Sequence, residues 1–333
     1  MTFAKQLAGF WLRWSAVFAG ALFYMQAVNA STTAPASGLS ALPEASVAAS
    51  YVTALTDGAL PAKKSLTLTS QVELSLIEMG FLIGTTTTVH EIGHARRVLV
   101  AGGHSQWETG DVNWWSYFTH RDPLASGATS WQLPARTTLN DQISIIAGGF
   151  NATTAWDESV TGQGPFGLVT ARYSTLLYEL AGVSPSDDDL AQLVSLYQTK
   201  GYSVSRRELQ FWQLLAGCIS QTNGSVKTYA YFTPQGVSLR AVTRWSNWTV
   251  ATEAVVHGTP TVEVEVGRRF NFGSHVELSP KVLVSPHGVG GALKAGARFG
   301  QTTIAINSQF VNASTLLGAR ATTSFDLEIA MGL

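Results

Sequence analysis

The chain has 333 residues, a net charge of -1 and only 13% charged residues. That length allows one large domain or two modest ones, and the balanced charge removes the electrostatic case for nucleic-acid binding. So low a charge density, with 31 glycines, suits an exported, envelope or membrane-associated protein better than a cytosolic enzyme.

The N-terminus agrees with that address. Lys5 and Arg13 precede an apolar run from Ser15 to Val28, and Val28-Asn29-Ala30 offers small residues where a signal peptidase reads. The run is short for a full membrane span, so the expectation is a signal peptide over residues 1–30, cut after Ala30, rather than an uncleaved anchor. Residues 31–69 are rich in Ala, Ser and Thr and contain Pro35, Pro43 and Pro61, which reads as a linker. The one cysteine, Cys218, excludes an intramolecular disulfide. Leu215-Ala216-Gly217-Cys218 lies deep in the chain and is expected to be a buried helix segment.

Ser70-Gln71-Val72-Glu73 has the form of a capping box, so a helix should begin there. Leu74, Ile77, Phe81, Leu82 and Val89 recur at helical spacing, and the helix is predicted to run to about Val100, where Gly102-Gly103 stops it. Thr85 to Thr88 are weak helix formers and allow a break. Residues 103–139 read as aromatic-rich loops with a short strand or hairpin around Ala128 to Leu133. Asn140 is expected to cap a helix from Asp141 to about Ser159. Further helices are expected over Phe166–Leu180, from Ser184-Pro185 to about Lys200, and from the box Ser205-Arg206-Arg207-Glu208 to about Thr222.

From about Lys227 the apolar period changes from 3.6 to 2. Val262, Val264 and Val266 alternate with Glu263 and Glu265, and Phe325, Leu327, Ile329 and Met331 alternate with Asp326, Glu328 and Ala330. Turn signals recur at Pro234-Gln235-Gly236, Ser246-Asn247, Gly258-Thr259-Pro260, Gly273-Ser274, Pro286-His287-Gly288, Gly300 and Asn312-Ala313-Ser314. The pattern predicts about eight or nine antiparallel strands in an up-and-down meander, most simply closed as a barrel. Either face can be the wet one. A soluble barrel puts Val and Phe inside; an outer-membrane barrel turns them to lipid and pairs the charges within. Strand length and the apolar alternation through the last strand favour the membrane arrangement.

The chemistry concentrates at His90-Glu91-Ile92-Gly93-His94. Two histidines four apart on a helix share a face and can hold one zinc ion, with the glutamate between them in reach of a metal-bound water. This points to a zinc metallopeptidase acting on a protein or peptide substrate, with Glu91 as general base. Zinc needs a third protein ligand. Glu158 is the first choice and Asp157 the second, with His104 and His120 as alternatives. Arg97 and Val100 occupy positions that a three-histidine zincin needs for its spacing. Asn151, His104 or His120 can supply an oxyanion stabiliser.

The H-E-I-G-H segment is followed by Ala101-Gly102-Gly103, Gly127-Ala128-Thr129 and Ala147-Gly148-Gly149-Phe150-Asn151. Over residues 70–160 this order resembles site-2-protease-like metallopeptidases. The resemblance implies a metal-bearing helix, a glycine-rich edge and a small-residue helix carrying an asparagine. The downstream Asp-Gly that supplies their third ligand has no counterpart after Asn151. A glutamate from a second helix would be similar to the gluzincin arrangement.

The expected architecture is α+β: a helical zincin-like domain over residues 70–225 and a strand domain over 226–333. The expected function is zinc-dependent endopeptidase of the bacterial envelope, in the periplasm or at the outer membrane. The alternative is a non-enzymatic outer-membrane barrel protein with a helical binding or assembly module.

Overall fold

In the computed structural model the described residues are 86, 89–91, 93–108, 128–159, 173–176, 188–222, 225–273, 276–286, 288–299, 302–311 and 322–331. The expected signal peptide, the linker, the helix start at Ser70 and His120 lie outside them, as does most of the expected Phe166–Leu180 helix, of which residues 174–176 are helical.

Helix α1 comprises residues 89–91 and 93–100, and Thr86 before it is also helical. Its end matches the glycine signal. Gly102 has a φ of 81°, its N–H donates to Leu99, and that of Gly103 donates to Val98. These paired bonds close the last turn around a left-handed glycine. Strands β1 (His104–Glu108) and β2 (Ala128–Gln132) follow as an antiparallel pair; β2 is the short strand expected around Ala128 to Leu133, whereas β1 falls in sequence expected to be loop.

Helix α2 spans Leu139–Ser159. Thr138, not Asn140, caps it: the Thr138 N–H donates to Asp141 at 2.9 Å and the Asp141 N–H donates to the Thr138 hydroxyl at 3.2 Å. This reciprocal pair satisfies two of the donors a helix start leaves open. Asn140 instead accepts from Lys200. Helix α3 spans Asp189–Thr199 behind an extended Asp188, whose side chain accepts from Ala191. Its start is therefore at Asp189, five residues beyond the expected Ser184. Helix α4 spans Arg206–Thr222, with Ser205 accepting from the Glu208 N–H. Leu209, Gln213, Ala216 and Ser220 form its buried face. Cys218 falls off that face and is exposed, contrary to the buried placement expected for it.

Strands β3 (Val226–Thr233), β4 (Gly236–Trp245), β5 (Trp248–Gly258), β6 (Val262–Arg268), β7 (Phe270–Phe272), β8 (Val276–Ser285), β9 (Gly288–Phe299), β10 (Thr302–Val311) and β11 (Thr322–Met331) form one antiparallel sheet. The strands pair in chain order from β3 to β11, with β7 beside β8. This is the expected meander, but it is open: no ladder joins β3 to β11 among the described residues.

The reason lies at the outer edge of β3. Asn151 donates to the Phe232 carbonyl at 2.7 Å and accepts from the Phe232 N–H at 2.9 Å. Ser220 likewise accepts from the Thr228 N–H and donates to its carbonyl, and the Thr154 hydroxyl reaches the Ala230 carbonyl. Side chains of α2 and α4 thus occupy backbone groups that a closing strand would need, and they blunt the edge. The main core lies between these helices and the first strands. Ile143, Ile146, Phe150, Leu190, Leu193, Tyr197, Leu209, Phe232 and Val237 are all buried in one cluster. No helix among the described residues is long and apolar enough to cross a membrane.

Candidate metal centre

Helix α1 crosses α2 where both lack side chains. A Cβ on Gly93 would lie 2.2 Å from the Gly148 carbonyl oxygen, and one on Gly148 would lie 2.7 Å from the Gly93 oxygen. One residue on, a Cβ on Gly149 would sit 2.5 Å from His90 Nε2 and 2.6 Å from His94 Nε2. The glycine pair in α2 therefore makes room first for a helix and then for two imidazoles.

His90 and His94, one turn apart, are both buried. Their Nε2 atoms are 2.9 Å apart. The first residue of α3 completes the group: Asp189 Oδ2 lies 3.0 Å from His90 Nε2 and 3.1 Å from His94 Nε2. His94 Nδ1–H donates to the Ile145 carbonyl at 2.8 Å, which fixes the ring and aims Nε2 inward. A metal-binding imidazole is commonly held this way from behind. The rings also pack on aromatics, His90 against Phe150 and His94 against Trp131 of β2.

Three donors converging on one point fit a divalent metal. With bonds of about 2.0–2.1 Å, donors around one tetrahedral zinc lie roughly 3.3 Å apart. The observed 2.9–3.1 Å needs a shift of only a few tenths of an ångström. Two nitrogens and one carboxylate oxygen are ordinary zinc donors. Burial by itself lowers the pKa of His94, but Asp189, assisted by Glu91 and the Ile145 carbonyl, outweighs it and raises the value to about 9. Burial disfavours the charged form of Asp189, yet the two imidazoles hold it well below the usual carboxylate range. The group therefore retains a proton, which a metal bound there would displace.

Two adjacent aspartates divide the labour at the start of α3. Asp188 caps the helix and pairs with Arg206 at 2.6 Å. Asp189 is left to face the histidines. The sequence signal was a run of three aspartates, Asp187 to Asp189, where a cap needs only one.

The residues expected to supply the third ligand are placed elsewhere. The carboxylate of Glu158 accepts from Arg240 at 3.1 Å and from the Tyr231 hydroxyl at 2.8 Å. It lies nine residues, or about 13 Å along α2, from Gly149. Asp157 is buried beside it in sequence and is not gathered with the histidines. His104 is exposed on β1, opposite Gln132. Asn151, a candidate oxyanion stabiliser, has its amide committed to β3. Glu91 is half-buried on α1, next in the chain to His90.

A cleft of about 420 Å³ lies behind His94, lined by Trp131, Leu133, Ile145, Ala191, Gln192 and Leu196 among others, while His90, His94 and Asp189 are not among its lining residues. Trp131 and Ile145 are the same residues that touch His94. The volume falls within the ordinary range for small-ligand and side-chain pockets, about 300–1,000 Å³. No protein family, characterised protein or solved structure matches the chain.

Proposed function

We propose that the chain is a zinc-dependent endopeptidase of the cell envelope, with His90, His94 and Asp189 as metal ligands and Glu91 as general base. One observation carries the reading: three buried or half-buried donors from two helices meet within 3.1 Å, with a carboxylate next in the chain to one of them. Bound zinc supplies a water of lowered pKa and polarises a carbonyl.

The chain's own residues do the rest. Ile145 orients His94, and Asp189 balances the positive charge that collects there. Glu91 takes a proton from the attacking water and passes it to the leaving amine. Strand β2 lies beside the site through Trp131. Its edge away from β1, unpaired among the described residues, suits an extended peptide added as a further strand. The 420 Å³ cleft would hold one apolar side chain of that peptide.

The test is metal content and hydrolysis in purified full-length protein. One zinc per chain is expected in the wild type, and a strong loss in His90→Ala, His94→Ala and Asp189→Ala. Glu158→Gln should keep the metal. Glu91→Gln should keep zinc and lose about 10²–10⁴-fold in peptide hydrolysis. Folded wild-type protein that takes up no zinc overturns the reading and returns the chain to a binding or assembly role. Retained hydrolysis by Glu91→Gln removes that residue from the mechanism.

A further inference from the structure

The strand sheet is turned inside out relative to a water-soluble one. Side chains alternate between its faces, so pairing register sorts them. On one face Arg240 pairs with Glu158 and, at 2.9 Å, with Glu265. Lys281 pairs with Glu265 at 3.0 Å, and the Ser238 hydroxyl donates to Glu253 at 2.5 Å. Glu253 and Glu263 are each only 4% exposed. On the opposite face Val262, Val264 and Val266 are 48%, 38% and 37% exposed. Val282 and Val284 of β8, Val289 and Leu293 of β9, and Val250 of β5 continue that exposed face. The protein thus withdraws carboxylates from solvent and offers valines to it. In water both choices cost free energy.

We propose that this valine face of β5–β9 contacts the hydrocarbon of a lipid bilayer. Three further observations select lipid over another occupant. Among the described residues of these strands the face carries no acidic side chain, and its one cation, Arg268, sits at the rim. There the guanidinium lies 4.9 Å over Trp248 and 4.7 Å over Phe270, with exposed Trp245 and Phe272 in the same belt. Aromatic and cationic side chains at the end of an apolar band mark a membrane–water boundary. β4, β5, β8 and β9 have 10 to 12 residues, enough to span a bilayer, which takes about 9–11 when tilted. Lipid tolerates no open sheet edge. Asn151, Thr154 and Ser220 already cap that of β3, and β11 would then be paired within the membrane.

This inference is independent of the zinc reading, since His90, His94 and Asp189 all lie outside the sheet. The experiment uses full-length Cys218→Ser protein carrying Val264→Cys, Val282→Cys or, on the charged face, Leu283→Cys. Each is labelled with an environment-sensitive fluorophore and reconstituted in phosphatidylcholine vesicles. Probes at 264 and 282 should shift to the blue and lose most of their emission to nitroxides on the acyl chains, while aqueous iodide leaves them bright. The probe at 283 should lose little to the nitroxides. Unlabelled wild type and His90→Ala should both float with vesicles in a density gradient. Iodide quenching at 264 and 282 without nitroxide quenching overturns the proposal. So does a stable, detergent-free monomer that fails to float, or a soluble dimer in which a second copy shields both positions.

Discussion

The helical layer and the strand sheet solve opposite problems with the same amino acids. Around α2 and α3, apolar side chains pack inward, and a few ionisable groups are brought into that core to face one another. His90, His94 and Asp189 meet there with Ile, Phe and Leu behind them. In the sheet the ionisable groups are the interior, and the apolar side chains of β6 and β8 point outward. In the first region buried charge is confined to one point, where a metal can neutralise it. In the second it spreads over Arg240, Glu158, Glu253, Glu265 and Lys281, which neutralise one another. A buried charge is tolerable only when paired, and the two regions show two ways of pairing it.

The contrast breaks most sharply at Gly149. Gly149→Ala places a methyl 2.5 Å from the His90 ring, which the rings cannot avoid while α1 stays against α2. Overpacking of this kind costs about 1–3 kcal/mol. Displaced ligands should also weaken zinc binding by about 10–100-fold, on the scale of losing a ligand's support. Competition with a chelator measures the second effect and urea unfolding the first. Unchanged zinc affinity would show that the histidines do not need the space Gly149 leaves. The sheet's charge network should stay intact in this variant.

Asn151→Ala tests the joint between the regions. It leaves the Phe232 N–H and C=O without their partner. A buried unsatisfied group costs about 1–3 kcal/mol, so a loss of about 2 kcal/mol in urea unfolding is expected. Faster amide exchange at Phe232 should accompany it. Stability equal to wild type would mean that water replaces the cap without cost.

Glu253→Gln should have the smallest effect, confined to the sheet. The Ser238 hydroxyl donates to Glu253 at 2.5 Å, and a glutamine oxygen at the same place still accepts that bond. A loss of about 0.5–1.5 kcal/mol in urea unfolding is expected, the scale of one exchanged hydrogen bond. A loss beyond about 3 kcal/mol would show that the carboxylate itself holds the sheet.

Much of this organisation was legible in the sequence for local reasons. Period-2 alternation from Lys227 onward, with glycines, asparagines and prolines at each turn, marks the strands and their order, because each strand pairs with the next. Gly102-Gly103 marks the end of α1, because only glycine adopts the required left-handed turn cheaply. Ser205 marks the start of α4 because its hydroxyl accepts the Glu208 N–H. What stayed hidden depends on distant partners. Asp189 lies 95 residues from His94, and its only local mark is that the run Asp187 to Asp189 has more aspartates than a helix cap needs. Glu158 shares a helix with Gly149, but one helix face continues for only a few turns, and by Glu158 α2 has reached Arg240. Closure of the sheet was also beyond local reading, because it is decided by Asn151 and Ser220, whose side chains act on a strand outside their own helices. The position of Cys218 deep in the chain does not decide its burial, because the buried face of α4 is set by where Leu209 and Ala216 lie.

The capped edge of β3 gives the sheet a direction of growth. A strand arriving there finds its hydrogen-bonding groups already taken by an asparagine, a threonine and a serine, so templating can proceed only away from the helices. β3 is the strand that α2 and α4 hold, each later strand pairs along the order that follows it, and β11 is the opposite edge. The anchored end of the sheet is also the support of His90 and His94, because Asn151 grips β3 two residues beyond the Gly149 that makes room for both rings.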